Sequence, residues 1–266
     1  MKITYYGYNS FMISSKDKKI SIDPGASLYF FKGWLKSLIP ESEWTDITHV
    51  LVTHGDPDHY WFLDRVAEKS GAAVICNKTM VHEKNSKVLL LGPRDRGLNF
   101  TTEIEKLYTL APLESIDVDG LKVKGIQTAH GPLTFKLGPF IKSLKPGPQE
   151  RIGWGSLGFE IRIDNKVIVN LGDTLIHRNE WKVIRSPDVL MIPIGGGTVH
   201  NTMDENEALE VVKMIAPKLV IPCHYNCSAF HKKNANPANE KYFYEEVKKL
   251  EFECVLLKAN ESIELY

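Results

Sequence analysis

The sequence predicts an α+β protein, with two sheets or one mixed sheet and helices on the outside. Three observations carry this. Short apolar runs of strand length recur along the chain, and some lead into stretches of helical spacing. Two segments alternate around Asp119-Gly120 and Asp164-Asn165, both strong hairpin signals. Residues 49–76 run strand, loop, helix, strand, the order of a βαβ-like unit.

Taken in order, Ile3–Tyr6, Phe11–Ser14 and Lys19–Asp23 read as strands, the last ending in Asp-Pro-Gly. Ser27–Ile39 is an apolar segment that reads either as a core helix or as part of a rim. His49–Thr53 is a buried strand. Tyr60–Ser70 puts Phe62, Leu63, Val66 and Ala67 on one side and stops at Gly71, as a helix does. Ala72–Cys76 is the next strand. After the two hairpins, Asp188–Ile194 is a strand that runs into Gly195-Gly196-Gly197. Thr202–Glu205 has the spacing of a capping box, and its helix extends to about Ala216. Lys218–Pro222 is a strand, Asn239–Leu250 a helix and Glu253–Leu257 the last strand. Residues 132–153 fit no period and are rich in Gly, Pro and Lys, with Phe135, Phe140 and Ile141 among them and Trp154 just beyond. We expect an irregular, lid-like insertion there, within a single domain over residues 1–266.

Composition narrows the function. The 266 residues carry 33 basic and 33 acidic side chains, a net charge of zero. That excludes a charged disordered tail and argues against a dedicated nucleic-acid binder. Met1–Ser15 lacks the features of a signal peptide, and no run approaches the ~20 apolar residues of a membrane span. The four cysteines are too sparse for a disulfide framework, so reduced thiols in a cytoplasmic protein are expected. Cys223 and Cys227 flank His224, but no second cysteine pair follows, and they read as buried or idle thiols.

The chemistry concentrates in Thr-His-Gly-Asp-Pro-Asp-His, residues 53–59. His54, Asp56, Asp58 and His59 fall within six residues, directly after a strand. Imidazoles and carboxylates crowded this closely are best explained by a cation that gathers them. His130, Asp173 and His224 also follow apolar runs, so four strand ends each deliver His or Asp. Such a set suits borderline metals, and a bridging carboxylate can hold two ions ~3.5–4 Å apart. His49, His82, His177 and His231 read as structural or surface residues. His200 stands close behind the Gly195–Gly197 loop, and its role is open. That loop either presents backbone N–H groups to an anion or is a plain tight turn.

The motif at residues 53–59, with His130, Asp173 and His224 downstream, resembles the metallo-β-lactamase-fold superfamily. Ile-Ser-Ile-Asp-Pro-Gly resembles its first motif, whose Asp, here Asp23, supports the metal loop. The N-terminal segment to Ile13, Leu-Gly-Asp-Thr at 171–174, residues 193–208 and Val-Ile-Pro-Cys-His-Tyr-Asn at 220–226 resemble a branch of metal-dependent hydrolases. That branch is related to ascorbate-6-phosphate lactonase and the N-acyl-phosphatidylethanolamine phospholipase D group. The resemblance implies a four-layer αββα sandwich with the site at one edge of the sheets. It implies that His54, Asp56 and His130 hold one metal, that Asp58, His59 and His224 hold the other, and that Asp173 bridges. The departure is Asp56, where the pattern has a second His. Asp reaches less far and adds negative charge.

The function expected is that of a metal-dependent hydrolase with two divalent ions, Zn²⁺ or Mn²⁺, with Fe²⁺ also admitted. Asp58 would orient a metal-activated water onto a small ester, lactone or phosphate-bearing substrate. Asp23 and His200 would stand in support or at the substrate. The alternatives are a phosphodiesterase acting on a nucleotide or lipid head group and a metal-binding protein of the same fold without turnover. A nuclease is disfavoured by the neutral composition. A homo-oligomer is compatible with the sequence.

Overall fold

The computed structural model describes residues 1–27, 35–84, 87–90, 104–137, 140–147, 152–197, 200–228 and 234–266. Two seven-stranded sheets face each other. The first runs, in spatial order, Leu107–Leu110, Ala73–Asn77, His49–Val52, Lys19–Ile22, Ser10–Ser14, Lys2–Gly7 and Ser262–Glu264. The second runs Ser115–Val118, Leu121–Gln127, Leu157–Ile163, Lys166–Asn170, Val189–Pro193, Leu219–Cys223 and Glu253–Cys254.

Strand periodicity explains the layering, because successive side chains point to opposite faces. Ile20, Ile22, Leu51, Ala73 and Ile75 of the first sheet meet Ile168, Val189, Met191, Leu219 and Ile221 of the second in one apolar layer. The intervening Val50, Val52, Val74 and Cys76 face outward, onto Leu63, Val66 and Ala67 of the helix Leu63–Ser70. On the far side, Val169, Leu190, Ile192 and Val220 pack against the helices Glu205–Ile215 and Glu240–Lys249. Three apolar layers therefore separate four structural ones, the expected αββα sandwich.

Both hairpin signals hold. Val118 pairs with Leu121 and Ile163 with Lys166, leaving two-residue turns. Asp119, Gly120, Asp164 and Asn165 all have positive φ, which favours these residue types. The helix expected at Tyr60–Ser70 begins later, at Leu63, after a short helix Pro57–Tyr60 within the motif. The capping box also moves: Asp204 and Glu207 form it, not Thr202 and Glu205. The Thr202 hydroxyl is already engaged, accepting from Thr174 N and donating to Thr174 O.

The insertion is more regular than expected. Leu133–Leu137 and Phe140–Leu144 form an antiparallel hairpin, and a bridge joins Pro146 to Ile152. Residues 138–139 and 148–151 lie outside the described residues, as do the side chains of Phe135, Phe140 and Ile141. So does most of the segment expected at Ser27–Ile39, over residues 28–34, and so does His231. The strands Leu107–Leu110 and Ser262–Glu264 were not expected from sequence; both are short edges. Among the described residues no helix is long and apolar enough to cross a membrane.

Candidate metal centre

Strand direction brings the motif residues together. Leu121–Gln127, Lys166–Asn170 and Leu219–Cys223 all run the same way in the second sheet. Their ends deliver His130, Asp173 and His224 to one edge. Lys19–Ile22 and His49–Val52 run parallel in the first sheet and deliver Asp23 and the 53–59 loop. Leu157 N donates to Thr53 O and His224 N to Tyr8 O, locking the two sets of loops across the sandwich.

Seven side chains converge there, and all are buried: His54, Asp56, Asp58, His59, His130, Asp173 and His224. Their ligand atoms form three close groups: His54 with Asp56 and His130, Asp58 with His59 and His224, and His54 with His59 and Asp173. Asp56 Oδ2 lies 3.5 Å from His54 Nε2 and 3.6 Å from His130 Nε2. Asp58 Oδ2 lies 3.4 Å from both His59 Nε2 and His224 Nε2. Asp173 Oδ2 lies 2.8 Å from His224 Nε2, 3.6 Å from His59 Nε2 and 3.9 Å from His130 Nε2. It thus reaches members of both sets.

The outer contacts orient the rings. His59 donates Nδ1–H to Asp23 Oδ2 at 2.7 Å, and His130 donates Nδ1–H to Gly131 O at 2.6 Å. His54 Nδ1 lies 3.1 Å from Thr53 Oγ1, whose own proton goes to Asp23 Oδ2 at 2.6 Å. Each of these three rings therefore turns its Nε2 inward. Asn236 spans His224, with Nδ2 2.6 Å from its carbonyl and 3.0 Å from its Nδ1. Gly153 N donates to Asp56 Oδ1 at 2.9 Å, which turns Oδ2 toward the histidines.

These residues fit a divalent cation. His54 Nε2, His59 Nε2 and Asp173 Oδ1 are buried with no hydrogen-bond partner. Among the described residues no lysine or arginine pairs with Asp23, Asp56, Asp58 or Asp173. Buried carboxylates without a cation are costly. In the metal-free centre, protons on imidazole take that part. Burial opposes charge on His224, yet the Asp173 carboxylate prevails and raises its pKa to about 9. His59 is likewise raised by Asp58 and Asp173 against the effect of burial. Burial would raise Asp58 and Asp173, but the neighbouring imidazoles hold both well below the usual carboxylate range. Burial lowers His130.

Other expected residues fall as follows. Asp23 is fully buried and also accepts from Thr53 N and Asn9 Nδ2. His200 is exposed, at φ +58°, on a loop whose backbone packs against Gly131, beside His130. Asp204 caps its own helix, accepting from Asn206 N and Glu207 N, and Gly196 N donates to Met203 O, so these three N–H groups are not offered to an anion. A Cβ on Gly196 would lie 1.8 Å from Thr202 O, so close backbone packing accounts for that glycine. His49 Nε2 bonds Val118 O across the sheets, a structural role. Sequence reasoning missed Asn9, Gly153, Asn170 and Asn236, which reach the centre through folded contacts, and the part that Thr53 plays inside its own motif.

Comparison with known proteins agrees with this architecture. A family model described as the beta-lactamase superfamily domain matches residues 2–224. A UPF0173 metal-dependent hydrolase of Pelotomaculum thermopropionicum is 32% identical over 267 residues, covering 100% of both chains. One from Nanoarchaeum equitans is 29% identical over 267 residues, also covering 100% of both. In solved structures the fold is shared with Igni18, a metallo hydrolase of Ignicoccus hospitalis. Its TM-score is 0.70 at 20% identity, covering 100% of this chain and 99% of that one. It is shared too with the metallo-β-lactamase fold protein YhfI of Bacillus subtilis, at TM-score 0.64 and 13% identity, with 99% of each chain covered. With a domain match over most of its length and relatives that align end to end, the chain belongs to the metallo-β-lactamase-fold superfamily.

Proposed function

We propose that this chain is a dinuclear metal-dependent hydrolase acting on a small ester, lactone or phosphate-bearing substrate. The observation that carries the reading is the pair of buried ligand sets, His54–Asp56–His130 and Asp58–His59–His224, with Asp173 reaching both. Two Zn²⁺ or Mn²⁺ ions, or Fe²⁺, suit these imidazole and carboxylate donors. When bound, such ions lower the pKa of water from about 15.7 to about 7 and polarise the scissile bond.

The chain's own residues do the rest. Asp58, ionised, orients the attacking water by accepting a hydrogen bond from it. Asp23 holds the His59 ring through Nδ1. Gly153 holds Asp56, and the stretch of about residues 132–153, in which Leu133–Leu137 pairs with Phe140–Leu144 between the ligand His130 and Gly153, would form a rim or lid over the site. The four cysteines are free and buried, which supports a reducing, cytoplasmic setting.

The test is metal analysis of the purified protein together with a hydrolysis screen against a lactone, a thioester and bis-p-nitrophenyl phosphate. We expect about two ions per chain, and turnover of at least one substrate that chelation and Asp58→Ala both abolish. Cleavage of the phosphodiester alone would assign a nucleotide or lipid head group as substrate. A two-ion protein inert toward all three would favour metal binding without turnover.

A further inference from the structure

We infer that Asn9 and Asn170 form a positioning pair that joins the two halves of the metal centre across the sandwich. The inference rests on the two-ion reading of the site. Asn9 lies in the turn between the strands Lys2–Gly7 and Ser10–Ser14 of the first sheet, and Asn170 ends a strand of the second. They stand 161 residues apart in sequence. Both are fully buried. Their carboxamides bond reciprocally, Asn9 Nδ2 donating to Asn170 Oδ1 at 3.1 Å and Asn170 Nδ2 to Asn9 Oδ1 at 3.0 Å.

Each amide also reaches toward ligands. Asn9 Nδ2 donates to Asp23 Oδ2 at 2.7 Å, the same oxygen that holds His59 Nδ1. Asn170 Oδ1 accepts from Gly172 N at 2.9 Å, fixing the turn before Asp173. Cys223 Sγ, directly before His224, donates to Asn9 Oδ1 at 3.4 Å. The Asn9 side chain thus touches Asp23, which holds His59, and the ends of the two strands that lead to Asp173 and His224. Its two N–H groups and its carbonyl oxygen are all engaged. Only a carboxamide supplies two N–H donors and a separate oxygen acceptor on so short a side chain. An aspartate at position 9 would set a second carboxylate against Asp23.

In the His54–Asp56–His130 set, Asp56 and His130 are held elsewhere, by Gly153 N and Gly131 O, and only His54 is tied to Asp23, one step further off through Thr53 Oγ1. The pair therefore governs one ion more than the other. Outer partners of metal ligands typically contribute about 10–100-fold in affinity.

The experiment titrates apoproteins of the wild type, Asn9→Ala, Asn170→Ala and the double variant with Zn²⁺ by calorimetry and with Co²⁺ by absorption. Thermal unfolding of each apoprotein is followed in parallel. We expect each single variant to bind one ion about 10–100-fold more weakly and the other with a smaller loss, since Asp173 reaches both sets. The double variant should lose no more than either single, because the two amides act as a unit. Unchanged affinity for both ions in a folded Asn9→Ala apoprotein overturns the inference, as does an equal loss for both. Asn9→Ser, with a smaller polar group, is titrated in the same way should the alanine variants not fold. Failure of all of these to fold overturns it too, since the pair would then hold the sheets together rather than place the ligands. A wild type that binds a single ion would refute the two-ion reading instead. The pair is then judged by whether Asn9→Ala weakens that ion.

Discussion

Replacing Asp56 by histidine tests the least expected feature of the centre. Ligands ~2.0–2.2 Å from a tetrahedral ion stand about 3.3–3.6 Å from one another. Asp56 Oδ2 lies 3.5 and 3.6 Å from the two histidine nitrogens of its set, so the carboxylate already spans the distance. Its other oxygen accepts from Gly153 N at 2.9 Å. An imidazole turned to the ion cannot also accept that bond. Leaving the buried N–H without a partner costs about 1–3 kcal/mol. For a chain somewhat longer than 250 residues that is a fall of roughly 2–12 °C in the Tm of the apoprotein. The substitution also removes one of three carboxylates among the seven candidate ligands. With two divalent ions the native set carries one excess positive charge, which a bridging hydroxide would neutralise. The variant carries two. A softer, less anionic set favours Zn²⁺ over Mn²⁺. We therefore expect Asp56→His to keep two ions per chain, shift Zn²⁺/Mn²⁺ competition toward Zn²⁺ and melt earlier as apoprotein. Elemental analysis after dialysis against mixed metals and calorimetry of the metal-free protein measure all three. The reasoning fails if the wild type holds one ion under metal excess and Asp56→His restores the second. An unchanged apoprotein Tm would show that Gly153 does not hold the carboxylate.

Asp173→Ala removes the oxygen that reaches both sets and should lower the content of both ions and remove turnover together; two retained ions with full activity would sink the bridging role. Gly153→Ala places a Cβ 2.1 Å from His130 Cβ at a backbone φ of +55°, so metal content and stability should both fall, and a wild-type melting profile and metal content would contradict this. The apoprotein should show an opposite pH trend to its metal affinity. His224, raised from 6.5 to about 9, contributes stability that is complete below pH 6.5 and lost as pH rises to about 9. Asp58 and Asp173, both depressed, contribute stability present above pH 3.8 and lost on acidification below it. The metal-free Tm should thus decline from pH 6.5 to 9 while ion affinity climbs as His224 releases its proton; parallel trends would be inconsistent with that proton. Replacing residues 133–144 by a short Gly-Ser link should alter KM or kcat, and unaltered kinetics in a folded, metal-loaded protein would rule out a rim.

Much of this centre was legible in consecutive residues. His54, Asp56, Asp58 and His59 share one loop after an apolar strand, and His130, Asp173 and His224 each follow such a run. Strand alternation and the positive-φ turns at 119–120 and 164–165 are equally local, so the sheets and hairpins could be read directly. The insertion was misread because the surrounding glycines and prolines obscured Leu133–Leu137, whose apolar and polar residues alternate as in a strand. The capping box was misplaced by two residues because Thr202, a good cap by spacing, spends its hydroxyl on Thr174. The strand Ser262–Glu264 is too short to show a pattern and exists because it pairs with the N-terminal strand. Local order, residue type and spacing determined which groups could bind a cation and on which strand ends they would sit. Whether Asp56 reaches was decided by Gly153, 97 residues away, and the seating of Asp23 and the Asp173 turn by the Asn9–Asn170 pair. Those contacts depend on how one sheet lies over the other, and the relative placement of distant strands leaves no periodic trace along the chain.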